Sequence, residues 1–134
     1  MNIWLGNLAS FFFGIAAMGV AGLIDRIIPE SIISTPILEE VVKWGVAVLI
    51  IWRFKLPASS ALFVALGFGA NELLQYYQEG FNVISRLYPF LLHTLTGIVL
   101  WLGLRTRKYA LSFLIFNIII HFWYNYYILL NSFL

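Results

Sequence analysis

The chain has no cysteine at all, which removes disulfides, thiolate metal ligands and a cysteine nucleophile. Charge is scarce: Asp, Glu, Lys and Arg make up 10% of the 134 residues, against about 25% in soluble domains. The one aspartate, Asp25, falls in a predicted loop, so a pair of intramembrane aspartates is excluded. No G-x-S-x-G setting faces a histidine and no H-E-x-x-H helix occurs, which leaves serine and zinc-helix proteolysis unsupplied. The basic residues are few and scattered at helix ends, which argues against nucleic acid as a partner. Neither an internal repeat nor a low-complexity linker divides the sequence, so residues 1–134 read as a single integral membrane domain.

What fills the chain instead is apolar, at 62% hydrophobic residues and a mean hydropathy of +0.92. The class this predicts is an all-α membrane protein, a bundle of about five transmembrane helices surrounded by membrane lipids. The first is expected over Ile3–Ile24, near the ~20 residues needed to cross a ~30 Å hydrocarbon layer. It lacks a basic leader and is too long for the apolar part of a signal peptide. The others are expected from about Pro36 to Trp52, Ala58 to Gln78, Leu87 to Leu104 and Tyr109 to the C-terminus. Thr35 reads as the N-cap of the second and Pro36 as its first helical residue. Small residues at Gly6, Ser10, Gly14 and Gly22, and again at Ala61, Ala65 and Gly69, predict faces where helices approach closely.

Five spans place Arg53, Lys55, Arg105, Arg107 and Lys108 on one side, with Arg26 and Arg86 on the other. The positive-inside rule then predicts a cytoplasmic N-terminus and a C-terminus on the opposite face.

Into this apolar background the sequence inserts Glu39, Glu40 and Lys43, although a charge near the bilayer centre costs roughly 2.5–3.5 kcal/mol on insertion scales. At ~1.5 Å per helical residue, Glu39 and Glu40 lie ~5 Å deep from the outer face. Glu72 and His93 come out at ~9 Å, His121 at ~12 Å and Asn125 at ~6 Å. Polar groups from four helices thus share one layer and predict one outward-facing pocket. Each also has a structural reading. Glu39 and Lys43 make an i, i+4 pair near a helix N-terminus, Glu72 is able to cap its helix with Asn71 and Gln75, and Asn117, His121 and Asn125 form one face suited to helix–helix hydrogen bonding. Trp123, Tyr124, Tyr126 and Tyr127 read as interface residues.

Three carboxylates, two imidazoles and an amide supply what acyl hydrolysis by water requires: a base for the water, a proton carrier, and donors for the tetrahedral oxyanion.

Glu39-Glu40-Val41-Val42-Lys43 resembles the E-E-x-x-K motif of PrsW proteases, and Phe68-Gly69-Ala70-Asn71-Glu72 resembles their F-x-x-x-E. His93-Thr94-Leu95-Thr96-Gly97 and His121-Phe122-Trp123-Tyr124-Asn125 are similar to the later histidine motifs of the wider glutamic-type superfamily, which includes CAAX prenyl proteases. The resemblance covers most of the chain after residue 35. It implies an intramembrane endopeptidase that activates water without a cofactor and cleaves a hydrophobic or single-span membrane substrate. Glu39 would resemble the water-activating glutamate, His121 and Asn125 the oxyanion pair, and Glu40 and Lys43 the groups that orient it. The CAAX branch has histidine where Glu72 stands, so either Glu39 or Glu72 fills the role of base, with His93 as the additional imidazole and Phe68 in support.

Two other classes stay open. Glu39, Glu72, His93 and His121 also suit a metal or proton site in a small transport or binding protein. A catalytically inactive relative that binds transmembrane segments is the third. Five helices form a thin wall around a polar pocket, which leaves room for a homo-oligomer.

Overall fold

The computed structural model describes residues 2–27, 31, 33–82, 84, 87–106 and 108–131. Pro29 and Glu30 of the predicted first loop, Arg86 and Arg107 of the charge count, and the last three residues of the predicted fifth helix lie outside the described residues. The chain is an all-α bundle in the order α1 (Ile3–Asp25), α2 (Ser34–Phe54), α3 (Ser60–Gln78), α4 (Leu87–Thr106) and α5 (Ala110–Asn131). Three of these, α1, α4 and α5, are long and apolar enough to cross a membrane. The other two match them in length, at 21 and 19 residues. Their charged and amide side chains lower the average, and most of the charged ones in α2 are turned inward: Glu39, Glu40 and Lys43 are all buried.

Helix α3 is the central element, packed on α1, α4 and α2; α5 lies against α4 and α2, and α2 closes the ring against α1. The close approaches come from missing side chains. A Cβ added at Gly14 would strike the Val64 carbonyl, and one at Gly67 would strike the Phe11 carbonyl, so α1 and α3 meet backbone to backbone. On the other side of α3, a Cβ on Gly97 would come within 2.6 Å of Ala65 Cβ, and one on Gly69 within 3.0 Å of His93 Cβ. The predicted rows Gly6-Ser10-Gly14 and Ala61-Ala65-Gly69 are therefore contact faces. Gly22 is not: a Cβ there would meet nothing within 4 Å. Steps of four residues rotate the face by ~40° each, so the buried stripe of α1 passes instead through Ala17 and Ala21, which pack on Phe68. A second apolar cluster of Ala47, Ile50, Ala61, Val64 and Leu100 fills the half of the bundle away from the charges. Outward faces carry large apolar residues such as Leu8, Phe12, Leu49, Leu91, Leu95, Ile115 and Ile119.

Helix α2 extends two residues beyond the expected span at each end. Helix α2 starts at Ser34, ahead of Thr35, because the Ser31 hydroxyl accepts the Ser34 N–H at 2.8 Å and so takes over the capping role. Pro36 still falls within the first turn, where no amide hydrogen is required. At its other end α2 stops at Lys55 in the left-handed conformation (φ 54°, ψ 42°), followed by Pro57.

Candidate functional site

Helix α2 brings Glu39, Glu40 and Lys43 to one buried face, since residues three and four apart stack on the same side. Opposite them stand Glu72 from α3, His93 and Thr96 from α4, and His121 from α5. The contacts form one chain. His93 Nε2 lies 2.6 Å from Glu72 Oε2, and Lys43 Nζ is 2.8 Å from His93 Nδ1. Lys43 also donates to Glu40 Oε1 at 2.5 Å and to Thr96 Oγ1 at 3.2 Å. The same Glu40 oxygen faces His121 Nδ1 at 2.9 Å. Glu39 Oε2 then closes the circuit, 3.6 Å from His121 Nε2 and 3.8 Å from His93 Nε2.

Hydrogen-bond capacity fixes the imidazoles. An ammonium has donors only, so His93 Nδ1 accepts from Lys43 and His93 carries its proton on Nε2, donating to Glu72. A carboxylate has acceptors only, so His121 donates from Nδ1 to Glu40. That leaves His121 Nε2 as the atom turned toward Glu39. Their separation is too long for a direct hydrogen bond, and a water that contacts both sits to one side of the line between them.

Phe68 supports the cluster physically. Fully buried, it has Lys43 Nζ 5.1 Å from its ring centroid and the His93 ring at 5.1 Å. An aromatic face beside an ammonium stabilises the charge that burial would otherwise disfavour. The two histidine rings are themselves edge to face at 5.3 Å.

The cluster opens to a cavity of about 170 Å³ whose lining includes Glu39, Glu72, Thr35, Gln75 and Tyr76. That volume holds several waters. Two acids of the cluster thus reach it, while Glu40 and Lys43 are sealed behind them at 1% exposure each.

Comparison with known protein families, with curated proteins and with solved structures finds no match to this chain.

Of the residues predicted from sequence, Glu39, Glu40, Lys43, Glu72, His93 and His121 converge, with Phe68 packed against them. Asn125 does not join: it is half-buried on α5 and makes no hydrogen bond to the cluster among the described residues. The α5 amide that is tied in is Asn117, one turn before His121 on the same face, which donates to the Thr96 carbonyl at 2.8 Å. Thr96 and Tyr76 were not expected. Thr96 is three residues after His93, and Tyr76, which hydrogen-bonds Glu72, is four residues after it. Same-face helical spacing from each charged residue was the available signal.

Glu39, His93 and His121 each present one ligand atom, all within 4.8 Å of one another, as a metal site requires. The donor set fits poorly. A metal on His93 Nε2 needs that nitrogen's lone pair, which moves the proton to Nδ1 and points it at the Lys43 ammonium 2.8 Å away.

Proposed function

We propose that the chain is an intramembrane hydrolase, a glutamate-dependent endopeptidase that uses water to cleave a hydrophobic or single-span membrane substrate, as its resemblance to PrsW proteases implies. On this reading all five helices cross the membrane, with the N-terminus cytoplasmic and the site toward the other face. The observation that carries it is the position of Glu39: it lines a cavity with room for several waters, and its Oε2 is 3.6 Å from a histidine Nε2 whose other nitrogen is held by Glu40.

Glu39 takes a proton from a water that reaches both it and His121 Nε2, and the hydroxide so formed attacks the substrate carbonyl. Glu39 passes that proton to His121 Nε2, whose N–H then donates to the oxyanion; as the tetrahedral intermediate collapses the C–N bond breaks and His121 gives the proton to the leaving amine, which restores its Nδ1–H form. Glu40 holds that ring in place through Nδ1 and stabilises its charged form, while Lys43 neutralises Glu40. Glu72, through His93, forms the opposite wall and is the second acid in reach of the cavity. The test is cleavage of a single-span substrate in liposomes. Glu39→Gln keeps shape and loses the base, with an expected fall in rate of about 10²–10⁴-fold; His121→Ala and Glu72→Ala each abolish cleavage with the helical fold retained. Full activity in all three variants would end the proposal.

The triad of ligand atoms favours one other reading, a metal site in a transport or binding protein. Activity or binding lost to chelator and indifferent to Glu39→Gln would select it.

A further inference from the structure

A larger cavity, at about 640 Å³ against 170 Å³, lies at the end of the bundle opposite the acids. It is a groove walled by Val48, Ile51, Leu56, Pro57 and Leu104, with Lys55 among its lining residues. Val48 precedes Arg53 by five residues, so the groove reaches ~8 Å inward from the charged helix ends. Its volume lies within the ~300–1,000 Å³ of small-molecule sites.

Charge at this end is of one sign. Arg53, Lys55, Arg105 and Lys108 are exposed here, and among the described residues every ion pair belongs to the Glu39–His121 cluster at the other end. The groove therefore combines an apolar slot at acyl-chain depth with a cationic mouth that no described carboxylate neutralises. A zwitterionic headgroup brings its own ammonium and gains little from such a mouth. An anionic one gains about 1 kcal/mol per nearby cation, or about fivefold in affinity.

We propose that this groove is a binding site for an anionic phospholipid, with an acyl chain against Val48, Ile51 and Leu104 and its phosphate on Lys55. The site is independent of the hydrolase reading, since it shares no residue with that cluster.

Native mass spectrometry of the full chain in detergent tests it, using phosphatidylglycerol, phosphatidylcholine of the same chain length, and soluble glycerol phosphate. Phosphatidylglycerol should be retained about fivefold more than phosphatidylcholine. Lys55→Gln should remove that preference. Val48→Trp fills the slot with every charge in place and should remove it as well; Ala58→Leu, at another residue lining the groove, serves the same purpose if the first variant loses its helicity. Equal retention of the two lipids overturns the proposal. So does a preference that survives filling of the slot, which would mark diffuse surface charge, or displacement of the lipid by glycerol phosphate, which would mark a headgroup site without a chain.

Discussion

Lys43 has protons to give and no lone pair with which to accept, and from this follows the state of both histidines. Its bond to His93 Nδ1 puts the His93 proton on Nε2, while Glu40 puts the His121 proton on Nδ1. Two imidazoles with ring centroids 5.3 Å apart should therefore be opposite tautomers. Long-range nitrogen–proton NMR of the full chain reads this directly, and a bound metal on His93 would give Nδ1–H there instead. Lys43→Met should release the His93 tautomer and leave Glu40 buried without its ammonium. Removing one partner of a buried pair costs roughly 3–5 kcal/mol, to be measured by unfolding in mixed detergent. Both signals staying at wild-type values would mean that Lys43 does not hold the ring. The sequence made Lys43 a neighbour of Glu39 by i, i+4 spacing, whereas the structure pairs it with Glu40 at i, i+3. Both spacings share a face, and only the packing of α4 and α5 against α2 chooses between them.

At the scale of elements, glycine marks where backbones touch, and the spacing of small residues was readable only locally. Gly14 sits in the expected row; Gly67 faces it from outside the predicted row of α3, because a helix with neighbours on two sides needs two small-residue faces and the Ala61-Ala65-Gly69 face was already taken by α4. Gly14→Ala drives a methyl into the Val64 carbonyl, a rigid backbone group, and should cost about 1–3 kcal/mol. Gly22→Ala meets open space and should leave stability unchanged or raise it by up to ~1 kcal/mol. Unfolding titrations of the two variants separate a packing role from a general dislike of substitution in α1; equal losses would refute the contact. Helix existence and order were legible throughout, since apolar runs of about 20 residues leave little choice. The start of α2 was misplaced because its capping hydroxyl comes from Ser31, before the turn, rather than from the residue next to the proline.

For the whole molecule, the arrangement of charge should set the direction in which the cluster faces. Its convergence could be anticipated because depth along a helix is counted in residues, and groups from four helices fell at similar counts. Which way that layer faces follows from a different signal, the cations at the ends of α2 and α4. On the proposed reading of five crossings the two termini lie on opposite sides, and Asn2 shares its side with Lys55. The absence of cysteine makes this testable without background, since each introduced thiol is the sole one. Asn2→Cys and Lys55→Cys should react with a membrane-impermeant maleimide only from the cytoplasmic side, and Glu79→Cys and Tyr127→Cys only from outside. Glu79 lines the same cavity as Glu39 and Glu72, so its labelling reports the side on which the cavity opens. The reverse pattern would keep the cluster and its chemistry but turn it to the cytoplasm. Substrates would then have to present their scissile bond from that side, and the resemblance would shift from the PrsW branch toward the CAAX branch.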